Sequence, residues 1–306
     1  MKRNIYGIGE VVYDIIFKNN IPIDARPGGA ILNALVSLSR LGVNPFLIAD
    51  CVNDAVGKNI LDFLETNNVN TNYLNWYDTG RSRLALAFLN SQNDAEYLFY
   101  KMQSEDNAKL NYPNITENDV ILFGSYYGIK PEIRNSLFDF LNSATDCKST
   151  IVYDPNYRKS HLHMLNQVRP FIFENFKISD IVKGSIEDFN FIFNTDNPDE
   201  IFRLFQQNGG KNLIITSAGK DVFFFNKNFS FHLPVPNIIP VSTIGAGDSF
   251  SAAIVYCLLK QNLFKNDIAT LSQADWQRIV NFAIECAIDV CQSYENYISP
   301  KSFKDN

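Results

Sequence analysis

The sequence predicts an α/β protein carrying a small separate β-sheet, and three observations carry that prediction. Short apolar runs alternate with stretches of helical periodicity at both ends of the chain, the pattern of buried strands covered by helices. Residues 82–101 break this rhythm, because two strand-like runs there flank a polar turn. Finally, 306 residues with 46% hydrophobic composition can bury one large core and a smaller unit beside it.

Taken in order, residues 4–8 read as a short strand broken by Gly7 and Gly9, and 11–17 as a second apolar run. Residues 22–29 are rich in turn formers. A helical apolar pattern follows over 30–41 and is closed by Gly42. Residues 45–49 read as a strand and 57–67 as a helix. In the run 82–90, Arg83, Ala85, Ala87 and Leu89 share one face, while Leu84, Leu86 and Phe88 share the other. With 96–101 this predicts a hairpin, and with 11–17 a small antiparallel sheet outside the main one. Strands are expected at 120–123, 150–153, 181–183 and 213–216, separated by helices over 131–144, 165–175 and 198–207. Residues 222–225 and 229–234 predict an antiparallel addition at one edge. Two long helices, 247–260 and 276–294, close the chain.

Bulk charge narrows the function. The formal net charge is −6 and no long basic block occurs, which argues against a nucleic-acid partner. No apolar stretch approaches the roughly 20 residues of a membrane span. The five cysteines, Cys51, Cys147, Cys257, Cys286 and Cys291, form no CxxC pair and read as thiols in a reducing compartment. The start of the chain reads without a secretory leader, so a cytoplasmic protein is expected. His161, His163 and His232 are the only histidines. The first two read as a surface pair, which leaves little for a metal hydrolase.

Two constellations carry candidate chemistry. Gly245-Ala246-Gly247-Asp248 leads into a helix, preceded by Ser242 and Thr243. The amides of a first helical turn lack internal acceptors and favour anions such as phosphate. A carboxylate beside them can orient and deprotonate an attacking hydroxyl, or it can simply cap the helix. The stretch is no Walker A loop, because no Gly-Lys-Ser/Thr follows. It is no dinucleotide fingerprint either, because it lies late in the chain. The second constellation is Asp14 with Gly28, Gly29 and Asn33. Asp14 interrupts an apolar run, which is costly without a partner. A carboxylate and an amide facing one cavity suit a polyol, although each could also serve only its own turn or helix.

Together these motifs resemble the ribokinase-like, or pfkB, family of sugar kinases, most closely its bacterial fructokinases. The resemblance rests on 27–33 (PGGAILN), 154–158 (DPNYR), 183–188 (KGSIED) and 242–248 (STIGAGD), in that order along almost the whole chain. It implies a three-layer α/β/α sandwich with a β-sheet lid, residues 1–10, 30–75 and 105–306 forming the main domain and 11–29 and 76–104 the lid. It implies Asp248 as the base, with Gly245, Ala246 and Gly247 as the anion hole. Asp14, Gly28, Gly29, Asn33, Lys101 and Arg158 are implied at the sugar. Lys183, Ser185, Thr216, Gly219 and Thr243, with the same glycines Gly245 and Gly247, are implied at ATP, and Asp188 at the water shell of Mg2+. The implied activity is transfer of phosphate from ATP to a primary sugar hydroxyl, fructose giving fructose 6-phosphate. The alternatives are ribose, 2-keto-3-deoxygluconate or a catalytically weak sugar-binding relative. A homodimer through the lid is a further expectation. Three departures stand out: Ser242 and Ile244 in the last signature, which bear on K+ dependence; Ala218 in the loop that starts at Thr216; and 292–295 (QSYE) where a glycine is usual.

Overall fold

The computed structural model describes residues 3–90, 95–100 and 110–300. The chain opens with β1 (Ile5–Ile8), β2 (Val12–Lys18) and β3 (Ile21–Gly28). Helix α1 (Ala30–Arg40), β4 (Phe46–Val52), α2 (Ala55–Thr66) and β5 (Asn70–Tyr77) follow, and then the pair β6 (Leu84–Leu89) and β7 (Ala95–Tyr100). Alternation resumes with β8 (Val120–Gly124), α3 (Arg134–Asp146), β9 (Thr150–Asp154), α4 (Leu165–Ile178), β10 (Ile181–Ser185), α5 (Ile186–Phe193), α6 (Pro198–Gln207) and β11 (Leu213–Ser217). β12 (Asp221–Phe225), β13 (Ser230–Pro234), α7 (Ala246–Lys260), α8 (Lys265–Ile268) and α9 (Gln273–Cys291) complete the fold.

Nine strands form the main sheet in the order β13-β12-β11-β10-β9-β8-β1-β4-β5. Neighbours from β5 to β11 pair in parallel, and β12 and β13 add the expected antiparallel edge. Two apolar layers cover the sheet. One includes Ile31, Leu35, Ile254, Val255, Ile279 and Val280 from α1, α7 and α9. The other includes Leu137, Ile172, Phe176 and Phe205 from α3, α4 and α6. β1 lies between β4 and β8, so successive connections leave it in opposite directions. Its carboxyl end therefore opens a crevice, the usual place for a ligand in such sheets. No helix among the described residues is long and apolar enough to cross a membrane.

The second sheet runs β3-β2-β6-β7. Two details differ from the sequence reading. The sheet is mixed, because β2 and β6 run parallel. Residues 22–28 are strand, and the turn lies earlier: Asn19 and Asn20 take left-handed φ of 52° and 61° and join β2 to β3 as a two-residue hairpin. Asparagine tolerates that conformation. Pro22 and Pro27 are admissible because β3 is an edge strand. β5 and α5 escaped notice because only Leu74 and Tyr77 of the first are buried, among asparagines, and the second spans eight residues.

The position of α1 is set by a missing side chain. A Cβ on Gly7 would lie 2.6 Å from Leu35 Cδ1 and 2.8 Å from Ile31 Cγ2, so the helix rests directly on β1. This brings the start of α1 to the crevice. Gly7→Ala overpacks that contact and costs about 1–3 kcal/mol of stability. Urea unfolding reads it, and a wild-type midpoint would contradict this packing argument.

Candidate active site

The amino ends of α1 and α7 meet at the crevice. Asn33, in the first turn of α1, donates from Nδ2 to Asp248 Oδ2 over 2.8 Å. One turn further along α1, Ser37 shares a buried hydroxyl–hydroxyl bond of 2.9 Å with Ser249, the neighbour of Asp248. The Asn33 Oδ1 acceptor is buried with no partner among the described residues. A ligand hydroxyl would satisfy it, which is the fit expected for a polyol.

The turn before α7 is held by backbone geometry. Gly245 has φ 83°, and a Cβ there would fall 2.1 Å from the Asn296 carbonyl oxygen, so only glycine fits. Lys183, 4% exposed on β10, donates to Asp154 Oδ2 at 2.9 Å and to the Gly247 carbonyl at 3.0 Å. Ser251 donates to the same Asp154 oxygen at 2.9 Å. Lys183 thus braces the first turn of the helix that carries Asp248. The partner of Asp154 is this lysine, and Arg158, four residues later, is exposed.

The small sheet supplies the facing wall. Asp14 on β2 is 5% exposed, and a Cβ on Gly28 would fall 2.0 Å from its Oδ2. Gly29 is the residue before α1 and its carbonyl accepts from the Asn33 amide at 2.8 Å. Tyr97 on β7 shares the electrostatic environment of Asp14, Asp248 and Arg158, and its ring lies 6.0 Å from the Arg158 guanidinium carbon. Sequence reasoning missed Tyr97. The alternation Tyr97–Phe99 was readable, but only the strand pairing shows which face turns inward.

Electrostatics sets the two carboxylates apart from ordinary ones. Burial, with the Asp248 charge nearby, pushes Asp14 up to about 7 against the pull of Arg26 and Arg158. Burial also pushes Asp248 up to about 6. Asp154 adds to the rise, while the Asn33 hydrogen bond, Lys183 and Arg158 oppose it. A carboxyl poised near 6 can accept a proton close to neutral pH.

The positions expected at the nucleotide lie on neighbouring strand ends. Ser185 caps α5 and pairs reciprocally with Asp188, whose Oδ2 accepts from the Ser185 amide and hydroxyl at 2.7 Å each. Thr216 is the β11 neighbour of Ser185, and Gly219 forms the following turn with φ 70°. Thr243 is exposed before α7. No cluster of three acidic, histidine or cysteine side chains suited to a metal occurs among the described residues. Lys101 lies outside the described residues.

A match to the pfkB family carbohydrate kinases spans residues 3–302. The chain belongs to that family, and its enzyme class is therefore that of an ATP-dependent sugar kinase. It is 28% identical to rice (Oryza sativa subsp. japonica) fructokinase-2 over 248 residues, 79% of this chain and 74% of the relative. Across plant fructokinases such as this one, the chain spans between 66% and 80% of their length. The fold superposes on Vibrio cholerae O395 fructokinase, solved with fructose, ADP and calcium, with a TM-score of 0.83 at 20% identity, covering 97% of this chain and 94% of that one. It superposes on Salmonella enterica aminoimidazole riboside kinase, solved with its riboside and an ATP analogue, with a TM-score of 0.82 at 18% identity, covering 96% and 95%.

The raised carboxyl values carry a signed consequence. The folded protein holds protons that the unfolded chain releases above the ordinary value of 3.8. The favourable term is thus complete below 3.8 and is lost as pH rises to about 7. Asp14→Asn flattens that fall and stabilises the ligand-free protein at about pH 8. Melting temperatures of both proteins across this range test it, and parallel curves would count against a buried Asp14 carboxylate.

Proposed function

We propose that this protein transfers the γ-phosphoryl group of ATP to a primary hydroxyl of fructose, forming fructose 6-phosphate. The observation that carries the reading is the Asn33–Asp248 hydrogen bond, which sets a carboxylate of raised pKa in the first turn of α7 beside acceptor-seeking amides. The fructose assignment draws support from the plant relatives and the Vibrio fold neighbour.

In this reading the sugar lies between Asp14, Asn33 and the inner face of the small sheet. Asn33 Oδ1 accepts from one hydroxyl, and Asp14 orients another. Asp248 takes the proton of the attacking hydroxyl as that oxygen approaches phosphorus in line. Amides at Gly245, Ala246 and Gly247 stabilise the charge that grows on the phosphoryl oxygens. Lys183 keeps that turn in place and moderates the Asp248 carboxylate. Magnesium on the ATP phosphates would supply charge neutralisation, and Asp188 is the residue this reading sets at its waters. Arg158 and Lys101 serve the sugar side. Ser185, Thr216, Gly219 and Thr243 border the nucleotide. Potassium is the second cation in this reading, with Ser242 beside the α7 turn.

The small sheet of β2, β3, β6 and β7 acts as a lid that covers the acceptor and excludes water. Its outer face also fits a homodimer: Leu98 is 52% exposed and Tyr100 54%. Such a patch on one sheet favours self-association. A cytoplasmic location completes the reading, supported by five unpaired cysteines.

Asp248→Asn lowers kcat by about 10²–10⁴-fold while fructose still binds, since general-base help is made mainly in the transition state. Phosphate transfer and equilibrium sugar binding are measured on the same variant, and near-normal turnover would remove Asp248 from the chemistry. In the wild type, kcat/KM rises with pH through about 6 as this carboxyl ionises. A panel of fructose, ribose and 2-keto-3-deoxygluconate with ATP-Mg identifies the acceptor. Leu98→Glu shifts the protein from dimer to monomer in light scattering, and an unchanged mass would place the interface elsewhere.

A further inference from the structure

As bare sequence, His161 and His163 read as one surface pair. In the fold they part company: His163 is exposed, whereas His161 is half-buried and makes ring contacts to three aromatic residues. Its imidazole lies 4.6 Å from the Tyr126 ring at an interplanar angle of 27° and 6.4 Å from the Phe99 ring at 24°. Tyr157 meets it edge-on at 6.3 Å and 62°. These distances fall within the range of favourable aromatic pairs.

The contacts join parts of the molecule that the chain keeps far apart. Phe99 sits on β7 of the small sheet, Tyr126 directly after β8, and Tyr157 and His161 after β9. The turn carrying His161 is itself fastened locally. Tyr157 Oη donates to the His161 carbonyl at 2.7 Å, and the His161 amide donates to the Arg158 carbonyl at 2.9 Å. Arg158 then reaches Tyr97, the residue two before Phe99 on β7. Two side chains on one strand of the small sheet are thus gripped by two residues of one turn on the main body.

We propose that His161 is a positioning residue that latches the small sheet over the acceptor. It docks Phe99 and thereby holds Tyr97 and Arg158 in register at the crevice. The proposal rests on the sugar-kinase reading of that crevice. A ring is what the position requires, since stacking between Phe99 and Tyr126 uses its flat faces. A phenylalanine should therefore serve, and an alanine should not.

The test uses the full chain with ATP-Mg and the sugar that the wild type phosphorylates. His161→Ala raises KM for the sugar by about two- to tenfold, the range expected for loss of one aromatic contact. KM for ATP stays within about twofold, and the share of ATP hydrolysed without sugar phosphorylation increases, because an unlatched lid admits water. His161→Phe restores sugar KM to within about twofold of wild type. Phe99→Leu reproduces the defect, and the double variant His161→Ala/Phe99→Leu is no worse than either alone, as expected for one shared contact. An unchanged sugar KM in His161→Ala, a His161→Phe as impaired as the alanine variant, or additive effects in the double variant would each overturn the latch. If His161→Ala does not fold, Phe99→Leu alone decides by the same KM split. Amide exchange in the ligand-free protein separates this proposal from the assignment of the substrate. His161→Ala speeds exchange in residues 95–100 and leaves 120–124 unchanged. Equal exchange in 95–100 overturns the latch whatever the acceptor proves to be.

Discussion

The hydrogen bond from Asn33 to Asp248 is the constraint on which the rest of the site depends. It joins two helix amino ends that come from opposite ends of the chain, and it commits one half of each side chain. What remains is an acceptor on Asn33 with no partner among the described residues, and the second oxygen of the Asp248 carboxylate. The helix ends could not approach without two local absences of a side chain. Gly7 lets α1 lie on β1, and Gly245 lets the loop before α7 pass against Asn296. The buried Ser37–Ser249 contact, a turn further along α1, is a second tie between the two helices.

Charge in the crevice is balanced by a few buried partners. Asp14, Asp154, Asp188 and Asp248 bring four carboxylates to one region, and Lys183 is the buried cation among them. Its bond to the Gly247 carbonyl couples the ion pair to backbone geometry, so that electrostatics and shape are not separate problems here. The carboxylates differ because their partners differ. Asp188 spends an oxygen on the cap of α5, whereas Asp154 keeps Oδ1 without a partner among the described residues. Burial raises Asp14 and Asp248 in the absence of ligand.

The small sheet is two-faced by its pairing. Val12, Asp14 and Ile16 turn inward with Ala85, Ala87, Tyr97 and Phe99, and the alanines leave space beside the two rings. Leu98 and Tyr100 turn outward. One strand thus serves the crevice with alternate residues and presents apolar surface with the others.

Much of this was legible along the chain. Apolar runs and helical periodicity foretold the α/β layers, the antiparallel edge and the hairpin of β6 and β7, because buried strands and amphipathic helices follow local periods of two and 3.6. Gly245-Ala246-Gly247-Asp248 and the Gly28–Asn33 stretch were visible for the same reason: backbone demands confine residue choice locally. Three things were decided only in three dimensions. β2 pairs in parallel with β6 across a long intervening segment, Lys183 pairs with Asp154, and Tyr97 and His161 meet Arg158 and Phe99. Local sequence determines which segments are strands, turns and helix starts. Which charges neutralise one another, and which rings meet, depends on contacts between residues far apart in the chain, and only the packed layers supply those.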